Sequence, residues 1–152
     1  LVMVRGYYKN RYSKIIIVIL FLIAVLIPSK IFAADLEIKI KGLRSDKGLL
    51  RLAIFDLPKE FPRGDQIRSL NIQAKSGNLI AIFKGMAPGI YALAIHHDEN
   101  KNKEMDTNFV GLPEEGYGFS NDAKVFFGPP YFEAASFIVG NDYKKISLNI
   151  IY

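Results

Sequence analysis

Ile90-Tyr91-Ala92-Leu93-Ala94-Ile95-His96-His97 is the stretch on which the fold turns. In an extended chain Tyr91, Leu93, Ile95 and His97 share one face, while Ala92, Ala94 and His96 share the other. The run opens at a turn, Ala87-Pro88-Gly89, and reads as a strand with its larger side chains in a core.

The same alternation recurs on both sides. Leu36, Ile38 and Ile40 alternate with Glu37, Lys39 and Lys41. Leu50, Leu52 and Ile54 flank Arg51, Ala53 and Phe55 in a second strand, which Pro58 ends. Gly42 to Gly48 and residues 59–65 are turn-like. A weaker pattern from Ile67 to Ala74 is followed by a hairpin-turn signal, Ser76-Gly77-Asn78, and a strand from Leu79 to Phe83. Ala135–Val139 and Lys145–Ile151 enclose the turn Gly140-Asn141-Asp142. Seven short strands predict an all-β fold, a seven-stranded antiparallel β-sandwich.

Residues 98–134 depart from the short-loop pattern. Loops beyond about 15 residues are uncommon and are usually functional or disordered. This one carries Phe109, Tyr117, Phe119, Phe126, Phe127, Tyr131 and Phe132 among glycines and prolines. Those rings suit a loop packed on the sandwich as hydrophobic filling; the other reading is a stacking surface for sugar or peptide. Gly128-Pro129-Pro130 is a rigid corner of the kind that accommodates a cis bond.

Ahead of the strands, residues 1–33 have the three parts of a secretory signal. Arg5 to Lys14 is basic, Ile15 to Ile27 is an unbroken run of 13 apolar residues, and Ile31-Phe32-Ala33-Ala34 offers a small-residue cleavage site, best used after Ala33. Thirteen helical residues reach about 20 Å, short of a roughly 30 Å hydrocarbon core, which favours a cleaved signal over an inner-membrane anchor. The expected organisation is a signal peptide over 1–33 and one domain over 34–152, periplasmic or secreted.

Charge supports this division. The net charge is +5, but residues 1–33 hold five basic and no acidic side chains, so residues 34–152 balance at 15 of each sign. The basic character therefore belongs to the leader and gives no support to a nucleic-acid partner. The absence of cysteine excludes thiol catalysis and thiolate metal sites, and leaves stability to the core alone.

Three blocks carry a family resemblance: Pro88-Gly89-Ile90-Tyr91-Ala92 running into His97-Asp98-Glu99-Asn100, then Asp106-Thr107-Asn108-Phe109, then Gly116-Tyr117-Gly118-Phe119-Ser120-Asn121 followed by Gly128-Pro129-Pro130. Together they resemble the bacterial family known as domain of unknown function 2141, over roughly residues 36–150. The resemblance implies an exported protein with a prealbumin- or immunoglobulin-type sandwich, and it brings no catalytic residues. The Pro-Gly-x-Tyr opening is also similar to transthyretin-like and collagen-adhesin repeat domains, where a tyrosine anchors a strand.

The most distinctive polar pattern begins at Asp98. Asp98, Asn100 and Asn102 are spaced by two, and Asp106 is ninth from Asp98. Calcium takes six to eight oxygen ligands, which a tightly turned loop offers from alternate positions. Asp98, Asn100, Asn102 and Asp106 would give side-chain oxygens and Glu104 a backbone carbonyl. Phe109 at the twelfth position excludes an EF-hand. Lys103 fills the sixth position, where glycine is usual; a left-handed Lys costs about 1–2 kcal/mol. That would weaken an affinity of roughly 10⁻⁴ M to about 10⁻³ M. The alternative is a polar loop whose Asn and Asp side chains cap their own turns.

His97 lies on the Tyr91, Leu93, Ile95 face beside Asp98, and a His97–Asp98 or other His97–carboxylate pair would serve a small periplasmic metal-dependent hydrolase as general base. More often such a histidine fixes a loop by hydrogen bonds. Ser120 lacks the second glycine of a nucleophile elbow, since Asp122 sits there, and with Asn121 it reads as a turn former. The expected function is an exported non-enzymatic binding or structural module with a calcium-stabilised loop, whose ligand is a small molecule, glycan or protein and whose only membrane contact is through the leader.

Overall fold

The computed structural model describes residues 15–17 and 33–152. Apart from helical residues 15–17 and the exposed Ala33, the expected leader lies outside the described residues. Among the described residues no helix is long and apolar enough to cross a membrane.

Among the described residues eight strands form two sheets, one more strand than the sequence reading gives. They are β1 (Ala34–Leu43), β2 (Leu49–Phe55), β3 (Arg68–Gln73), β4 (Gly77–Met86), β5 (Gly89–Asp98), β6 (Gly116–Phe119), β7 (Ser136–Val139) and β8 (Lys144–Asn149). A 3-10 turn, Ser120–Asp122, follows β6, and a four-residue helix α1, Phe132–Ala135, precedes β7. The first sheet runs β4-β1-β8 and the second β3-β2-β5, with β6 and β7 sharing the outer edge of β5. β6 pairs with Ala94–His97 and β7 with Gly89–Ala92, so two short strands complete one edge. The β1–β8 pair is parallel, from Leu36 opposite Lys144 to Lys41 opposite Asn149, which corrects the wholly antiparallel expectation.

Ser76-Gly77-Asn78 is likewise not a hairpin. Its flanking strands belong to different sheets, and Gly77 (φ 93°) opens β4 opposite Leu43. A turn signal marks where a chain reverses without saying which sheet receives it.

Between the sheets the alternating side chains meet. Leu36, Ile38 and Ile40 of β1 and Leu148 of β8 pack with Leu50, Leu52, Ile54 and Leu93 in a core where each is at most 1 % exposed. Burying one such side chain is worth roughly 1.5–3 kcal/mol before the entropy of ordering it. That explains how the domain holds without disulfides. Tyr91 closes one end of this core and donates its hydroxyl to the Ala87 carbonyl at 2.9 Å, and desolvation pushes its phenol pKa up.

A second, smaller core lies on the outer face of the β3-β2-β5-β6 sheet. Phe55, Ala92, Phe119, Ala123, Phe132 and Ala135 are buried there around the edge-on ring of Phe61. β5 is thus covered on both faces at this end, and Ala92, with no exposure, leaves space for the overlying segment.

The long segment 98–134 is therefore not one loop. Gly116 and Gly118 fall inside the expected long loop, yet they lie in a strand. A Cβ on Gly116 would fall 2.5 Å from the Tyr152 ring, and one on Gly118 would fall 2.8 Å from the Asn149 carbonyl oxygen. The glycines let the end of the chain cross β6 closely, and Tyr117 and Ile151 exchange backbone hydrogen bonds there. The filling role assigned to the loop aromatics holds for Phe119 and Phe132, with Tyr117 half-buried. Phe109, Phe126, Phe127 and Tyr131 project into solvent. Among the described residues the cis peptide is Phe61–Pro62, not the Gly128-Pro129-Pro130 corner.

Candidate functional site

The register of the second sheet sets two rows of side chains on its outer face. Asn71, Arg51, His96 and Tyr117 face one another across β3, β2, β5 and β6, and Ser69, Ala53, Ala94 and Phe119 form the next row. The paired alanines leave a hollow between the taller rows. Loops 62–66, 103–113 and 125–129 wall this hollow into a groove of about 820 Å³, a size typical of sites for small organic ligands.

Two buried carboxylates hold the polar row in place. Asp98, with no exposure, accepts from Arg51 Nη1 at 3.3 Å and from the Lys103 N–H at 3.1 Å through Oδ2. Its Oδ1 is buried without a donor. Glu115, 4 % exposed, meets His96 Nε2 at 2.7 Å and also accepts the backbone N–H groups of Glu99 and Asp106. Buried carboxylates need such partners, since an unpaired charge in the interior costs several kcal/mol. Asp98 and Glu115 thus pin the segment 99–115 to the sheet edge and fix Arg51 and His96 from behind.

The residues singled out for calcium gather at this edge. Asn100 and Asn102 each donate a side-chain N–H to the Asp106 carboxylate, at 2.5 and 2.9 Å. Their own oxygens accept the Asn102 and Glu104 backbone N–H groups. Glu104 enters through its N–H and is otherwise exposed. Lys103 has φ 72°, the left-handed conformation its place in the loop demands. Turn-capping is therefore realised in full. Among the described residues no group of three or more His, Asp or Glu side chains is placed to hold a metal ion.

His97 is buried among structural partners. Nδ1 lies 2.6 Å from the Tyr152 hydroxyl and Nε2 lies 2.8 Å from the Lys47 carbonyl. Both nitrogens are engaged away from Asp98, so the pairing a hydrolase would need is not formed. Ser120, 1 % exposed, donates to the Ala135 carbonyl and accepts the Leu93 N–H. It ties α1 to β5 in the manner of a structural hydroxyl. Nearby, the Arg44 guanidinium grips Glu99 and, with the Ser45 hydroxyl, holds its carboxyl down at about 2.

The sequence did not single out Arg51, Arg63, Asn71, His96 or Glu115 as a site. Only strand register and loop placement assemble them, and the one legible signal was that His96 and Ala94 lie opposite the core face.

No curated protein and no solved structure matches the chain. A family model matches residues 38–147, most of the sandwich just described. With its strands, glycines and groove all inside or beside that span, the chain belongs to the bacterial family described as "Uncharacterized protein conserved in bacteria (DUF2141)".

Proposed function

We propose that this protein is an exported, non-enzymatic binding module whose ligand sits in the groove on the outer face of the β3-β2-β5-β6 sheet. The observation that carries the reading is the hollow over Ala53 and Ala94, edged by Arg51, His96 and Phe119 and walled by three loops. Its partners are a small molecule, a glycan or a peptide segment rather than nucleic acid. The loop from Asp98 to Asp106 forms one rim and is stiffened by calcium held by Asp98, Asn100, Asn102, Asp106 and the Glu104 carbonyl. The donorless Asp98 oxygen supports that assignment. The sandwich is of prealbumin or immunoglobulin type, a reading supported by the Tyr91 anchor at the opening of β5.

Export by a cleaved signal fits the position of Ala34, which is buried and already opens β1 opposite Met86. The folded domain would start directly after a cut at Ala33. N-terminal sequencing of protein recovered from the cell envelope should give Ala34; a retained leader would make the protein an inner-membrane anchored one.

The groove is tested by nuclear magnetic resonance screening against sugars, short peptides and aromatic acids. Shift changes should concentrate on Arg51, Ala53, Ala94, His96 and Tyr117. Saturable binding that maps elsewhere would overturn the assignment. Metal-dependent hydrolysis of chromogenic esters, lost in a folded His97→Ala variant, would favour the hydrolase instead.

A further inference from the structure

We infer that the ligand of this groove is an organic anion: a flat apolar body bearing a carboxylate, sulfate or phosphate group. The inference rests on the groove being the ligand seat and adds the chemistry of its occupant. Arg51 reaches the groove from β2, Arg63 from the β2–β3 loop and Lys103 from the β5–β6 loop, and no carboxylate lines the groove with them. Residues 34–152 balance at 15 charges of each sign, so three cations gathered without an acid are a local departure.

The carboxylates nearest them do not cancel this excess. Asp98 and Glu115 are buried behind the polar row, where backbone N–H groups take up part of their charge. Arg51 engages Asp98 through Nη1, which leaves its remaining guanidinium donors for a ligand. Arg63 and Lys103 make no ion pair among the described residues, and both are exposed. A cation with a rigid planar fork suits bidentate recognition of an oxyanion. The hollow over Ala53 and Ala94 and the exposed ring of Phe126 at the groove wall give a flat apolar body somewhere to stack.

Two related dyes test this on protein produced with its own leader. Anilinonaphthalene sulfonate carries the anion; phenylnaphthylamine is its uncharged counterpart. The sulfonate should bind saturably, more tightly than the neutral dye, and weaken as salt rises. The double variant R63Q/K103Q, its fold checked by circular dichroism, should lose about tenfold in sulfonate affinity and leave the neutral dye unaffected. Ala94→Leu, or Ala53→Leu should the first fail to fold, should displace both dyes by filling the hollow. Equal binding of the two dyes, or no loss in the charge variant, would overturn the anion inference while leaving the groove as a seat. Indifference of both dyes to the filled hollow would remove the groove itself.

Discussion

His97 Nδ1 stands 2.6 Å from the hydroxyl of Tyr152, while its other nitrogen faces the Lys47 carbonyl at 2.8 Å. A carbonyl only accepts, so Nε2 carries the proton, and in the neutral ring Nδ1 accepts from the tyrosine. One imidazole thus joins β5, the turn between β1 and β2, and the segment after β8. Glycine is required beside it: Gly48 has φ 69°, and a Cβ there would fall 1.9 Å from the Asp98 carbonyl oxygen.

Removing one partner of this linkage leaves buried polar atoms without hydrogen bonds. Tyr152→Phe should cost about 1–3 kcal/mol and His97→Ala at least as much, read from urea unfolding at neutral pH. An unchanged midpoint in Tyr152→Phe would show that the contact contributes nothing to stability.

Glu99 gives a pH signature. The Arg44 guanidinium, with help from Ser45, lowers its pKa from 4.5 to about 2. A carboxyl depressed in the folded state stabilises the fold above its unfolded value and loses that contribution as pH falls through the folded value. Arg44 is 45 % exposed, so solvent screening holds the contribution to about 1 kcal/mol. Glu99→Gln should be less stable than the native chain by that amount above about pH 5, and the two should converge toward pH 2. A gap independent of pH would mean that Glu99 acts through packing rather than charge.

Calcium is tested by thermal melts in about 2 mM calcium against a chelator. At the affinity on the order of 10⁻³ M that Lys103 leaves, mass action gives about 0.6 kcal/mol and a shift of roughly 2–4 degrees. Lys103→Gly relieves a left-handed lysine, worth about 1–2 kcal/mol, and should raise the melt in calcium and in chelator alike. In Asp98→Ala the difference between calcium and chelator should vanish, even though the variant is itself destabilised by the loss of the Arg51 pair. A native melt indifferent to calcium would remove the ion from the loop.

Gly118→Ala should destabilise the domain by about 1–3 kcal/mol, because its methyl meets the Asn149 carbonyl and the Leu148 side chain at 2.8 Å. Gly77→Ala offers the contrast: nothing lies within 4 Å there, and the cost comes from φ alone. If Gly118→Ala unfolds no more readily than the native chain, the close crossing of β6 by the chain end is wrong.

By itself the sequence determined the β class and the core faces of β1, β2 and β5. Period-two alternation is a local property that survives any pairing: Leu36, Ile38 and Ile40, or Leu93 and Ile95, point inward whichever strand lies beside them. The left-handed backbone at Lys103 and the turn-capping contacts of Asn100 and Asn102 with Asp106 were legible for the same reason, being set within nine residues. Tertiary structure alone decided the rest. The parallel β1–β8 pair, the sheet change at Gly77, the eighth strand hidden behind Gly116 and Gly118, and the rows that bring Asn71, Arg51, His96 and Tyr117 together all depend on residues distant in the chain. Strand register across a sheet is a global packing outcome, and a groove made from it has no local signal.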